Sequence, residues 1–116
     1  MNVAITRPNY YSHLITPPLG MGYVSSYLKS RRIETRIIDG LKLRYTNKKL
    51  AEKLLSFYLI GIYCLSDYFP KVIKLCGYLK KAGKIIVLGG PHVTVLPAES
   101  LRYTGADYAI VGEGEI

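Results

Sequence analysis

The sequence predicts an α/β fold, a doubly wound sheet of five parallel strands in the order 2-1-3-4-5. Short apolar runs rich in β-branched residues alternate with segments of helical periodicity along the whole chain. Helices of this length between successive strands imply right-handed crossovers, which place helices on both faces of a parallel sheet. With 116 residues, the chain is long enough for one domain with a single core.

The predicted strands are short apolar runs that end in glycine or polar residues. Lys84-Ile85-Ile86-Val87-Leu88 has the composition expected of a strand that is buried on both faces, and two glycines follow it. The apolar run that ends at Cys64 is expected to be the most central strand. The predicted strands cover residues 2–6, 33–39, 58–64, 84–88 and 107–111.

The segments between these strands carry helical spacing and helix-end signals, and the predicted helices cover residues 19–32, 47–56, 67–82 and 97–103. The residues expected to face inward are Leu19, Tyr23 and Tyr27 in the first helix and Val72, Leu75, Cys76 and Leu79 in the third. The expected helix ends are a cap at Asn47, a cap at Ser66 or Asp67, a stop at Gly83 and a start at Pro97.

The sequence stops at Ile116, where a closing helix is expected, so the predicted sheet lacks its final helix. In the order 2-1-3-4-5, that helix would cover part of one sheet face beside the first helix. An uncovered apolar face of this size favours self-association.

Composition excludes several classes of protein. No apolar stretch reaches the ~20 residues of a membrane span, and the chain begins with strand residues rather than a basic leader, which predicts a cytoplasmic location. Cys64 and Cys76 are too few for a disulfide scaffold and lack metal-ligand spacing. The net charge is +8, and the one distinct cluster of basic residues is formed by Lys42, Arg44, Lys48, Lys49 and Lys53 around Tyr45. It is either a solvated surface or a contact for an anion or RNA.

Glycine-rich segments follow two of the predicted strands and begin the first helix. Gly89-Gly90-Pro91-His92 and Gly112-Glu113-Gly114-Glu115 come directly after apolar runs, and Gly20 and Gly22 lie in the first turns of a helix. Open α/β sheets bind ligands at the carboxyl ends of their strands, and glycine lets a ligand approach the backbone closely. The pattern therefore predicts a site for a large, flat ligand.

Familiar nucleotide and catalytic motifs are absent. The run from Gly20 lacks the third glycine of a dinucleotide fingerprint, and no Walker lysine follows any glycine group. Asp39 ends the second strand, where it could contact a ribose or cap the following turn. The two histidines, His13 and His92, have no partner at the spacing of a catalytic or metal-binding set. No catalytic residue and no metal ligand are predicted.

Five segments, taken in order, resemble the amino-terminal cobalamin-binding domain of cobalamin-dependent radical S-adenosylmethionine enzymes. They are Pro17-Pro18-Leu19-Gly20-Met21-Gly22-Tyr23, Ile37-Ile38-Asp39, Gly61-Ile62-Tyr63-Cys64-Leu65-Ser66, Leu88-Gly89-Gly90-Pro91-His92-Val93-Thr94 and Val111-Gly112-Glu113-Gly114-Glu115. The resemblance implies a flavodoxin-like (Rossmann-like) domain that holds the corrin over the carboxyl ends of its strands, with the nucleotide tail in the sheet cleft. The implied cofactor-binding residues are Pro18, Leu19, Gly20, Gly22, Cys64, Leu65, Ser66, Gly89, Gly90, Pro91, His92, Gly112, Glu113 and Gly114.

Two departures from the family refine this expectation. Asp-x-His-x-x-Gly, which supplies a histidine to cobalt in many cobalamin proteins, is absent, so the resemblance implies base-off cobalamin without a protein histidine ligand. Cys-x-x-x-Cys-x-x-Cys is also absent, so the iron–sulfur cluster and S-adenosylmethionine would belong to a separate catalytic domain. Residues 1–116 are then expected to be the cofactor domain of a longer enzyme, commonly a methyltransferase, and not catalytic alone. The alternatives are a flavodoxin-like domain that binds a nucleotide or flavin, and a basic domain that binds RNA.

Overall fold

A computed structural model describes residues 2–9 and 19–112. Its central feature is a five-stranded parallel sheet in the order β2-β1-β3-β4-β5, which confirms the predicted fold class and strand order. The strands are β1 (Asn2–Arg7), β2 (Glu34–Asp39), β3 (Leu59–Tyr63), β4 (Ile85–Gly89) and β5 (Tyr108–Ala109). Four of them lie within a residue or two of the predicted bounds.

The fifth strand is shorter than predicted, but its pairing extends beyond the two strand residues. The N–H of Asp107 donates to the carbonyl of Ile86 at 3.0 Å, and the N–H of Ile110 donates to the carbonyl of Leu88 at 2.8 Å. The chain therefore follows β4 as an extended edge from Asp107 to Ile110.

Six helices lie between the strands in the described part of the chain: α1 (Leu19–Ser30), α2 (Gly40–Leu43), α3 (Asn47–Leu54), α4 (Phe69–Lys81), α5 (Pro91–Val95) and α6 (Pro97–Thr104). The four longer helices were predicted. The two short ones, α2 and α5, were not, because four or five residues are too few to show a helical period. None of the described helices is long and apolar enough to cross a membrane.

Two of the predicted helix caps are wrong. The cap of α3 is Thr46 rather than Asn47, since the Thr46 hydroxyl accepts the N–H of Lys49 at 3.2 Å. Neither Ser66 nor Asp67 caps α4, because residues 66–68 form a 3-10 turn in front of the helix and no side-chain cap is made. The predicted stop is confirmed, with Gly83 at a φ of +75° just after α4.

The larger core lies between one face of the sheet and the helices α3, α4 and α5. Alternate strand residues supply the sheet side, and they are Ile60 and Ile62 of β3 and Ile86 and Leu88 of β4. The predicted inward face of the helix before β4 is confirmed, with Val72, Leu75, Cys76 and Leu79 all fully buried. This face of the sheet is closed over its central strands β3 and β4.

The opposite face of the sheet is covered less completely. Val3 and Ile5 pack there against Met21 of α1. Met21 and Ser25 are buried among the α1 side chains that the structure describes, whereas Tyr27, expected to face inward, is only partly buried. Farther along the same face, Tyr108 is 63% exposed beside Val87. The self-association inferred from an uncovered face stays a prediction.

Candidate functional site at the carboxyl edge of the sheet

The loops after β3 and β4 are joined by backbone hydrogen bonds at the carboxyl edge of the sheet. The N–H of Cys64 donates to the carbonyl of Gly89 at 2.8 Å, and the N–H of His92 donates to the carbonyl of Cys64 at 3.2 Å. These bonds continue the strand pairing, in which Tyr63 lies opposite Gly89. The two predicted loops therefore form one connected surface.

Gly89 and Gly90 are adjacent, but the structure accounts for glycine at only one of the two positions. Gly90 has a φ of +100°, and a Cβ built there would lie 2.8 Å from the oxygen and 2.9 Å from the nitrogen of Cys64. Its glycine is required by the packing of the two loops. A Cβ on Gly89, by contrast, would meet no heavy atom of the described residues within 4 Å, its chain neighbours aside. Packing among the described residues does not require glycine at that position, so none of them covers this backbone at the end of the strand.

The His92 side chain is held by the loop after β3. Its Nδ1 lies 2.8 Å from the hydroxyl oxygen of Ser66, and its ring stacks on Phe69 with centroids 4.0 Å apart and planes inclined by 25°. Ser66 is thus a partner of His92 rather than the helix cap that the sequence suggested. Phe69 was missed by the sequence analysis, because ring stacking leaves no signal in residue spacing.

Thr94 connects the third loop, which follows β5, to the same surface. Its hydroxyl donates to the carbonyl of Gly90 at 3.1 Å, and the N–H of Gly112 donates to the hydroxyl oxygen at 3.1 Å. Thr94 lies in α5 together with His92. The short helix therefore holds the loops after β3, β4 and β5 together.

Cys64 contributes its backbone to the edge, whereas its thiol belongs to the core. The sulfur is fully buried and donates to the carbonyl of Ile62 at 3.6 Å. Burial raises the pKa of this thiol far above its ordinary value, and the nearby Cys76 raises it further. Leu65 is half-buried against the larger core, and Pro91 is exposed in the first turn of α5.

At the other end of the edge, Asp39 is held by an ion pair and by the start of α2. Its carboxylate accepts from the guanidinium of Arg7 at 2.8 and 2.9 Å, and both side chains are buried. One carboxylate oxygen also accepts the N–H groups of Leu41 and Lys42. Of the two roles considered for Asp39, the structure shows the cap.

The basic cluster on α2 and α3 lies on the surface. Its five cationic side chains are exposed, and the ammonium of Lys49 lies 5.6 Å from the centre of the Tyr45 ring. Within residues 2–9 and 19–112, no three histidine, cysteine or acidic side chains form a group that could hold a metal ion.

The family model of the B12 binding domain matches residues 11–116 of this chain. The chain belongs to the B12-binding domain family. The resemblance inferred from the five sequence segments is confirmed at this level.

Relatives of this B12-binding domain are longer proteins. An uncharacterized methyltransferase of Pyrococcus horikoshii is 30% identical over 105 residues, which are 86% of this chain and 23% of that protein. The radical S-adenosylmethionine methyltransferase TsrM of Kitasatospora setae, solved with tryptophan substrate and a SAM analogue, is 17% identical and has a TM-score of 0.87 over 98% of this chain and 24% of its own. Its structure with cobalamin and a [4Fe-4S] cluster is 15% identical and has a TM-score of 0.82 over 94% of this chain and 22% of its own.

The N-terminal domain of a hypothetical protein of Thermotoga maritima is 23% identical and has a TM-score of 0.59 over 91% of this chain and 83% of its own. At these identities the solved structures establish the fold of the domain. The chain spans about a quarter of the length of the Pyrococcus relative and of TsrM.

The remaining predicted site residues of the B12-binding domain lie toward the ends of the described segments. Leu19, Gly20 and Gly22 lie in the first two turns of α1. Pro18, Glu113 and Gly114, together with His13, lie outside the described residues. The structure thus joins Cys64, Leu65, Ser66, Gly89, Gly90, Pro91, His92 and Gly112 into one edge.

Proposed function

We propose that this chain binds base-off cobalamin, with no protein histidine on cobalt, as the cofactor domain of a radical S-adenosylmethionine enzyme. Membership of the B12-binding domain family supports the cofactor. The observation that carries the proposal is the space over Gly89, which no atom of residues 2–9 and 19–112 fills, at an edge where three loops are joined into one surface.

The residues of this edge fit a large, flat group. At Gly89 there is room that a Cβ would fill, and the backbones of Cys64 and Gly112 lie beside it on the neighbouring loops. Gly61 and Val87 pair on β3 and β4, and on that face of the sheet Val3 and Ile5 pack against Met21 of α1. We propose that the corrin lies over the edge, and that the nucleotide tail enters the cleft on this less covered face. When bound, cobalamin supplies a cobalt centre that can carry a methyl group.

The absence of a histidine ligand is proposed from two observations. The Asp-x-His-x-x-Gly motif does not occur in the sequence. His92 lies at the proposed binding edge, where its Nδ1 already forms a hydrogen bond with Ser66 and its ring stacks on Phe69. These contacts restrain the ring and leave it fewer ways to approach cobalt.

We propose that residues 1–116 act within a longer protein, in which other segments hold the iron–sulfur cluster and S-adenosylmethionine. The 116 residues contain only two cysteines, too few for the three-cysteine cluster motif, and the longer relatives include methyltransferases. Methyl transfer is accordingly the reaction class we propose for the complete protein. The cytoplasmic location stays a prediction.

Cobalamin titration followed by visible absorption tests the proposal. We expect saturable binding and the spectrum of base-off cobalamin. In the cob(II)alamin form, the electron paramagnetic resonance spectrum should lack the splitting that an axial nitrogen ligand produces. Nitrogen splitting that disappears in His92→Ala would contradict the ligand assignment. A yellow protein that does not bind cobalamin would favour the flavin alternative, and RNA binding with a steep salt dependence would favour the basic surface.

A further inference from the structure

The ring of His92 is fixed on two sides by residues of one neighbouring loop. Ser66 holds Nδ1 at 2.8 Å, and Phe69 covers one ring face at a centroid distance of 4.0 Å. The backbone of His92 is tied to the same loop through the carbonyl of Cys64 at 3.2 Å. Both the position of the residue and the orientation of its ring are therefore set before any ligand binds.

The other ring nitrogen, Nε2, is the polar atom that this fixed ring leaves available. It has no hydrogen-bond partner in the described part of the chain, and the side chain is partly exposed at the carboxyl edge. Nε2 lies on the side of the ring away from Nδ1, so it is directed away from Ser66. A partly desolvated nitrogen in this position is suited to contact a bound group.

The hydrogen bond to Nδ1 decides what Nε2 can do. In a neutral imidazole, one nitrogen carries the proton and donates while the other accepts, and the partner of one nitrogen sets the state of the other. If the Ser66 hydroxyl donates to Nδ1, Nε2 carries the proton and has no lone pair for a metal. Among residues 2–9 and 19–112, the hydrogen-bond partner that the structure shows for the Ser66 hydroxyl is Nδ1 of His92.

We infer that Ser66 donates to Nδ1 of His92, which makes Nε2–H a positioned donor to a carbonyl oxygen on the amide side chains of bound cobalamin. This rests on the proposed function and assigns His92 a role within it. His92 then recognises the rim of the cofactor, and the same tautomer prevents it from serving as a cobalt ligand.

Two substitutions of His92 separate this role from that of a simple brace. The amide of glutamine can place a donor near the position of Nε2, whereas the amide of asparagine reaches only the position of Nδ1. We expect His92→Gln to keep most of the cobalamin affinity, and His92→Asn to weaken it by roughly 2- to 12-fold, the range for one neutral hydrogen bond. Wild-type affinity in His92→Asn together with a loss in His92→Gln would overturn the inference, because only the contact with Ser66 would then matter.

The tautomer can be measured without cobalamin, in the complete protein that carries this chain, labelled with 15N-histidine. We expect the nitrogen shifts of His92 to report the Nε2–H form, and Ser66→Ala to produce a mixture of both forms. Ser56→Ala is the matched control, because Ser56 is an exposed serine just before β3, away from the carboxyl edge. An Nδ1–H form in the wild type, or no change in Ser66→Ala, would overturn the inference.

The two measurements also separate this inference from the proposed function. If the wild type fails to bind cobalamin, the proposed function fails and the assigned donor role fails with it. If the wild type binds and His92→Asn binds equally well, only the inference fails. The tautomer measurement gives its own answer in both cases, and circular dichroism of each variant verifies that the fold is kept.

Discussion

The two adjacent glycines at the end of β4 should respond to substitution in opposite ways. A side chain at Gly90 must adopt a φ of +100° and must also push against the backbone of Cys64, at distances of 2.8 and 2.9 Å from the built Cβ. A side chain at Gly89 meets no described atom within 4 Å, and its φ lies outside the left-handed region. Gly90 is thus expected to matter for folding, and Gly89 for the ligand.

The magnitudes follow from these contacts. Left-handed strain in Gly90→Ala costs about 1–3 kcal/mol. Displacement of Cys64 would also weaken a hydrogen bond to Gly89 or His92, for about 0.5–1.5 kcal/mol more. The free energy of unfolding should therefore fall by roughly 1.5–4.5 kcal/mol. In Gly89→Val the Cβ meets no described atom within 4 Å, but the side chain occupies the space that we propose for the corrin. Overpacking costs about 1–3 kcal/mol, which corresponds to a loss of affinity of about 5- to 150-fold.

Urea denaturation and cobalamin titration of the two variants test this pair together. We expect Gly89→Val to unfold at the same urea concentration as the wild type and to bind cobalamin weakly. Gly90→Ala should have a lower free energy of unfolding than the wild type. Wild-type affinity in Gly89→Val would refute the placement of the ligand over this backbone. Wild-type stability in Gly90→Ala would refute the close packing of the loops after β3 and β4.

Three further predictions concern groups away from the open backbone. Asp39→Ala should lower the free energy of unfolding in urea by about 3 kcal/mol, because it leaves a buried guanidinium without its carboxylate. Cys64 and Cys76 should resist iodoacetamide at pH 8 until the protein unfolds, because burial raises both thiol pKa values, that of Cys76 to about 12; labelling in the folded state would contradict this. A hydrogen bond from the N–H of Ile86, and next one from the ammonium of Lys80, lower the pKa of Asp107. The resulting stability should be present above pH ~3.9 and be lost as the pH falls through the folded-state pKa. The ion pair of Asp107 with Lys80 is about a third exposed, so its contribution to the free energy of unfolding should be less than about 1 kcal/mol. In urea melts at different pH values, Asp107→Asn should remove that part of the loss of stability at low pH.

The sheet could be predicted from the sequence because its strands carry their own signal. Residues 85–88 are apolar throughout, and the face-to-face alternation is visible only in the structure, where Ile86 and Leu88 are buried on one side and Val87 is half-buried on the other. The regular alternation of strands and helices then predicted right-handed crossovers and made 2-1-3-4-5 the natural strand order to expect, without any knowledge of contacts. Strand bounds were correct to within a residue or two except at β5, where only Tyr108 and Ala109 keep strand geometry.

The short helices could not be predicted because their stabilising contacts are distant in sequence. In α2, the N–H groups of the first turn bond to Asp39, whose carboxylate is itself held by Arg7, 32 positions earlier. In α5, the N–H of His92 bonds to the carbonyl of Cys64 on another strand. Neither contact produces a periodic pattern, so both segments read as loops.

The candidate site was predicted as a set of loops, but not as a set of contacts. The sequence does not distinguish the two adjacent glycines. In the structure, a Cβ at Gly90 would clash with the backbone of Cys64, whereas a Cβ at Gly89 would meet no described atom within 4 Å. Ser66 has the sequence signal of a helix cap, yet its hydroxyl bonds to a ring 26 positions away. Such roles depend on the register between β3 and β4, which residue spacing alone does not contain.

The position of α5 explains how a sheet edge can become a binding surface. Three separate loops would each lose conformational freedom when a large ligand orders them, and that loss would reduce the affinity. Here His92 and Thr94 of one short helix bond to the loops after β3 and β5, and the helix itself continues from β4. The described parts of these loops are therefore held together when the chain folds. The backbone at Gly89 is then presented on a preformed surface, which would suit the rigid, flat cofactor that we propose for this edge.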